Sequence, residues 1–128
     1  MKVLDLRLQG VYYDLIKAGK KTHEYRKLDD YYVGRLIGGI DMRGLSDEQK
    51  KEVIDNLRDP SERKEYMKSK GLYYRVGSNP GAYTHIRFRR GAVNTFMLVE
   101  IEDMVINAGQ FDITLGKVSE QSGQVAEK

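Results

Sequence analysis

Five charged or readily titrating side chains crowd into the eight residues Gly19-Lys20-Lys21-Thr22-His23-Glu24-Tyr25-Arg26. Their types suit two chemistries. In the first, Lys20, Lys21 and Arg26 meet phosphates, while the Glu24 carboxylate accepts hydrogen bonds from the amino group of cytosine or guanine. In the second, the segment hydrolyses an amide, which needs an activated nucleophile, a proton donor for the leaving amine and a stabilised oxyanion. Lys21, Glu24 and Thr22 are then the catalytic candidates, with Glu24 activating water and Arg26 as the neighbouring cation that helps Lys21 act as a base. Spacing supports a shared surface: in extended backbone Thr22, Glu24 and Arg26 fall on one face. The segment is expected to form the floor of a ligand cleft.

A second cationic segment lies far along the chain. Tyr83, His85, Arg87 and Arg89 alternate with Thr84, Ile86 and Phe88, so one strand face enters a core and the other carries basic groups beside a tyrosine. With Lys20, Lys21, Glu24, Arg26 and Arg35, the residues Tyr83, Arg87 and Arg89 complete the expected ligand set. If the two strands are neighbours, both segments line one electropositive groove.

The elements that must position these groups can be read locally. Val3 to Leu8 alternates as a half-buried strand. Tyr12, Leu15, Ile16 and Gly19 fall at i, i+3, i+4 and i+7, one stripe of a helix that Gly19 ends in left-handed conformation. Asp29-Asp30 caps a helical turn containing Tyr32 and Leu36. Ser46 with Gln49 reads as a capping box, with Val53, Ile54 and Leu57 as the apolar stripe behind it. Asp59-Pro60-Ser61-Glu62 reads as the start of another helix, which Gly71 ends and in which Tyr66 and Met67 are the apolar residues. Thr95 to Ile106 is the longest strand-like run, and Phe111 to Val118 closes the set. Phe88, Val99, Ile101 and Ile113 are assigned to the core.

This pattern implies an α+β domain: a small curled or closed β-barrel of about five to six short, mostly antiparallel strands, with one helix after the first strand. Residues 1–119 read as a single domain, 41–76 as a helical surface insertion, and 120–128 as a flexible tail.

Composition narrows the function classes. The 128 residues carry 22 Lys and Arg against 19 Asp and Glu, a mild net charge of +3 that does not by itself specify nucleic acid. There is no cysteine, and the two histidines, His23 and His85, lack metal-ligand spacing, so neither a metal nor another cofactor is expected. The charged N-terminus is no signal peptide, and no apolar run approaches the roughly 20 residues needed to span a bilayer. The expectation is a cytoplasmic monomer with no membrane partner.

Taken with their neighbours, these motifs resemble the ASCH domain family, a branch of the PUA-like superfamily of small β-barrels. The resemblance rests on Leu6-Arg7-Leu8, Tyr13-Asp14-Leu15-Ile16, and Ala18 through Arg26. It continues through Tyr31-Tyr32-Val33-Gly34-Arg35-Leu36, Tyr83 through Gly91, Val99-Glu100-Ile101 and Leu115-Gly116-Lys117-Val118. It covers residues 3 to 40 and 83 to 119. What it implies is a PUA-like barrel with a cleft beside the helix-to-strand junction, and RNA or a nucleotide as ligand. One branch hydrolyses N4-acetylcytidine with a lysine and a threonine of this segment. Lys21 matches the lysine, and Glu24 stands where that branch has threonine. RNA or nucleotide binding is therefore the first expectation, and amide hydrolysis of a modified nucleoside the alternative.

Overall fold

Leu4, Leu6 and Leu8 are buried while Asp5 and Arg7 are exposed, because β1 (Val3–Leu8) is covered on one face only. The computed structural model describes residues 1–121, the side chain of Glu120 excepted. After β1 come α1 (Gly10–Lys17), β2 (His23–Lys27), α2 (Asp30–Leu36) and β3 (Ile37–Gly38). A 3-10 turn (Met42–Gly44) leads to α3 (Asp47–Arg58), α4 (Arg63–Lys70), β4 (Tyr73–Tyr74), β5 (His85–Arg90), β6 (Phe96–Asn107) and β7 (Gln110–Gln121). The fold is α+β, with a curled half-barrel sheet in the order β1-β5-β6-β7-β2 and a two-stranded sheet β3-β4.

One pair of strands is parallel, which a mostly antiparallel arrangement allows, and two strands are longer than the short ones expected. β1 lies parallel to β5, in register from Val3 opposite His85 to Leu8 opposite Arg90, which the long connection between them permits. β6 and β7 each run 12 residues. They are joined by Ala108 (φ 52°) and Gly109 (φ 77°), a two-residue turn whose positive φ angles match the twist of the paired strands. The tail expected from residue 120 lies outside the described residues from 122 on, and β7 itself reaches Gln121.

The chain divides into two compact units. Unit 1 comprises Met1–Glu24, Tyr83–Asp103 and the chain from Ile113. Its core joins Leu4, Leu6 and Leu8 to Ile86 and Phe88 of β5, Met97 and Val99 of β6, and Ile113 and Leu115 of β7. From α1 it takes Tyr13 and Ile16; Tyr12 is 46% exposed. The buried stripe is thus set one residue on from the one expected, since α1 opens at Gly10 and turns Tyr13 inward. Ile101, assigned to the core, is half-buried. Inward positions 97 and 99 of β6 give way to Met104 and Ile106, so the burial phase of the strand shifts across Glu100 to Asp103 and leaves Ile101 at the break.

Unit 2 comprises Tyr25–Ala82 and Met104–Asp112. Its core gathers Leu28, Val33, Leu36 and Ile37 with Met42, Val53, Leu57, Met67 and Leu72. Asp29 accepts the Tyr32 backbone N–H at 2.9 Å and so caps α2. The Ser46 and Gln49 side chains bond each other's backbone N–H groups at 3.1 and 2.9 Å, the reciprocal box that starts α3. α4 begins at Arg63, later than the Asp59-Pro60 signal predicts. Asp59 accepts instead from the backbone and hydroxyl of Ser61 at 2.9 and 2.7 Å, closing a local turn that competes with the helix start. Gly71, at φ 68°, ends α4.

Candidate functional site

The lysine-rich segment is held at both ends in unit 1. Lys20 and Lys21 donate their backbone N–H groups to the Leu15 carbonyl at 2.9 and 3.2 Å, and Gly19, at φ 73°, makes that turn possible. The Thr22 carbonyl accepts from the Leu115 N–H at 2.8 Å, which binds the segment to β7. Lys20 and Thr22 remain exposed.

Glu24 is only 5% exposed, and among the described residues it is the charged group the fold buries. Lys21 supplies its counter-charge: Nζ donates to Glu24 Oε1 at 3.2 Å and also to the His23 carbonyl. Lys21 lies two residues before β2 begins, outside the strand's alternation, and its long side chain reaches the carboxylate three residues on. Both contacts use Nζ as a donor, and together they hold the Lys21 side chain against its own segment.

The remaining expected residues fall in separate places. Arg26, in unit 2, donates from Nη1 to the Tyr32 hydroxyl at 3.0 Å, its guanidinium 5.8 Å from that ring's centre. Arg35 lines a cavity in the same unit. In unit 1, Arg87 and Arg89 share the single carboxylate of Asp5, at 3.5 and 3.3 Å. The parallel register sets Asp5 opposite Arg87, so β1 supplies the acid that β5 lacks. Arg87 also lies 5.7 Å from the centre of the Phe96 ring. Tyr83, counted as a ligand contact, is 7% exposed and packs as a core residue, with the Lys2 ammonium 4.5 Å over its ring.

The sheet order separates the two cationic segments: β6 and β7 lie between β5 and β2. At about 4.8 Å per strand the two are roughly 14 Å apart along the sheet. They are not neighbouring strands, and no adjacent-strand patch forms from them.

Sequence reasoning missed Arg90. It shares the parity of Ile86 and Phe88, yet at the end of β5 it turns to Asp14 on α1 and makes a two-pronged pair at 3.2 and 3.0 Å. Hydrogen bonding by Arg90 holds the Asp14 carboxyl below the usual carboxylate range, and the same contact raises Arg90. Burial, reinforced by the Asp14 charge, raises the Tyr13 hydroxyl. A basic residue on the core-facing parity, opposite a helix carrying an exposed acid, was the available signal. Among the described residues no group of three or more His, Asp or Glu could hold a metal ion, and no helix is long and apolar enough to cross a membrane.

Comparison with protein-family models, with curated proteins and with solved structures finds no match for this chain.

Proposed function

We propose that the chain is an RNA- or nucleotide-binding ASCH-type domain of the PUA-like superfamily, with the Lys20-to-Arg26 segment as its base-recognising element. The observation that carries this is Glu24. A carboxylate withdrawn from water costs folding free energy that an apolar residue at that position would not, even when a lysine pairs with it. Its place beside exposed Lys20 and Thr22 fits a residue retained to accept hydrogen bonds from a base. On β5, Arg87 and Arg89 supply phosphate contacts, in competition with Asp5.

Single-stranded RNA binding, followed by fluorescence anisotropy across a salt series, tests the reading. About two to four phosphates met together give a slope of log K against log salt of roughly −1.4 to −2.8. Lys20→Ala and Arg89→Ala weaken all sequences alike and flatten the slope. Asp5→Asn, which releases two arginines from their shared acid, tightens binding. Glu24→Gln changes base preference and leaves the slope nearly unaltered. A flat salt dependence, or Lys20 and Arg89 variants that bind like wild type, would sink the proposal.

The second reading, hydrolysis of a modified nucleoside such as N4-acetylcytidine, is favoured by one observation, the convergence of Lys21 on Glu24 at 3.2 Å. It stands second because Lys21 Nζ is already donating to two acceptors of its own segment. Robust deacetylation by wild type, abolished in Lys21→Ala, would reverse the ranking.

A further inference from the structure

Unit 2 contains a cavity of about 450 Å³, within the size range of small-molecule sites, and it carries three arginines: Arg35 of α2, Arg43 and Arg75. Their partners differ. Arg43 is matched by Asp41, with Nε and Nη2 at 3.0 and 3.1 Å from its two carboxylate oxygens. Arg35 and Arg75 make no ion pair among the described residues. Arg35 reaches only the Tyr31 hydroxyl, at a long 3.4 Å, with its guanidinium 5.6 Å from that ring's centre. Its Nε is buried and has no hydrogen-bond partner among the described residues. Arg75 is fixed by its own backbone, which donates to the Leu36 carbonyl at 2.9 Å, while its Nε has only the Ile37 carbonyl at 3.4 Å.

A guanidinium does not shed its proton to escape such a place. Two of them come from different elements to one cavity, and neither is ion-paired with the two carboxylates that share its lining, Asp30 and Asp41, so both offer donors to an oxyanion. Three arginines against two carboxylates leave the lining one positive charge in excess, and the two arginines without an ion-paired acid present several donors to the oxygens of a phosphate monoester. The Asp30 carboxylate and the Tyr31 ring line the same cavity and are suited to hydroxyl groups and a flat ring.

We propose that this cavity is an oxyanion site in which Arg35 and Arg75 hold the phosphate of a phosphomonoester, with Asp30 and Tyr31 contacting the organic part. It is independent of the lysine-rich segment and of the RNA reading, and none of Lys20, Lys21 or Glu24 takes part.

Calorimetric titration of the full chain at low salt, with inorganic phosphate, cytidine 5′-monophosphate and cytidine as probes, tests it. The two phosphate-bearing probes bind and cytidine does not. Equal affinity for both makes free phosphate the source; tighter binding of the nucleotide makes it the phosphomonoester. Affinity rises as pH passes upward through about 6, where the phosphate takes its second charge. Arg35→Gln and Arg75→Gln each weaken binding about tenfold to a hundredfold, with thermal melts confirming that both still fold. Lys21→Ala and Glu24→Gln leave it unchanged. Backbone amide shifts of Gly34 and Arg75 on addition of phosphate to wild type give a readout that needs no variant. Cytidine binding as well as its monophosphate, failure of both phosphate probes at millimolar concentration, or folded Arg35 and Arg75 variants with wild-type affinity would overturn it.

Discussion

Replacing Arg63 with methionine should cost unit 2 about 2–4 kcal/mol. Arg63 opens α4, where a cation opposes that helix's own dipole, so its placement serves something else. Its guanidinium donates to the Leu57 carbonyl and, at 3.2 Å, to the Arg58 carbonyl, in the last turn of α3, where backbone acceptors lack partners within the helix. It also donates to the Ile106 carbonyl of β6 at 2.7 Å. Methionine keeps the packing of the stem and deletes all three donors. A hydrogen bond to a charged group contributes about 1.5–3 kcal/mol, and water can replace the one at exposed Arg58, so two bonds carry the effect and they are not additive. For a chain of this length that is roughly 8–15 °C in melting temperature. Circular dichroism melts, with amide exchange of α3 and of the β6 end near Ile106, read the loss and its location. Arg63→Lys should recover only part of it, because one ammonium cannot serve three carbonyls as a planar fork does. A methionine variant melting within about 2 °C of wild type, or full rescue by lysine, would refute the reasoning.

Two glycines of unit 2 should respond oppositely to alanine in urea unfolding. Gly34→Ala gains about 0.5–1 kcal/mol, since Gly34 lies inside α2 with ordinary dihedrals and its new methyl would meet Met42 at a comfortable 3.9 Å. Gly39→Ala loses about 3 kcal/mol or more, since φ is +89° and the methyl would sit 2.3 Å from the Gly71 carbonyl oxygen. The Asp14–Arg90 pair makes a pH prediction: a carboxyl held below its unfolded value stabilises the fold above that value and stops doing so as pH falls through the folded one. Asp14→Asn should therefore lower the urea midpoint at neutral pH and converge on wild type below the ordinary carboxylate range.

Elements with a local cause were legible. Ser46 with Gln49, Asp29 before α2 and Gly19 and Gly71 after their helices each act through neighbours a few residues away, so type and spacing were enough. What failed depended on long-range packing. Whether α1 buries Tyr12 or Tyr13 is decided by the sheet beneath it, and the pattern of eight helical residues tolerates either. Ile101 looked inward by parity, and the phase shift along β6 leaves it half-buried. Tyr83 is buried as β5 begins two residues later than its alternation suggests.

The cations show where sequence stops informing. Arginines identical in type have different partners once folded. Arg87 and Arg89 share Asp5 across a parallel pair of strands, a register no local signal encodes. Arg90 holds Asp14, Arg43 holds Asp41, and Arg63 caps carbonyls of two elements. Arg35 and Arg75 alone of these have no acid or charge-matched partner among the described residues. A phosphate arriving at Arg87 and Arg89 competes with a carboxylate paired to both, whereas Arg35 and Arg75 are ion-paired with neither of the acids, Asp30 and Asp41, that line their cavity. The partners of a cation, more than its exposure or its position in a basic run, therefore separate residues that hold the fold from residues left to hold a ligand. By that criterion the cavity of unit 2 is the better-prepared anion site, although the run of charges around Lys20 is the part of the sequence that draws the eye.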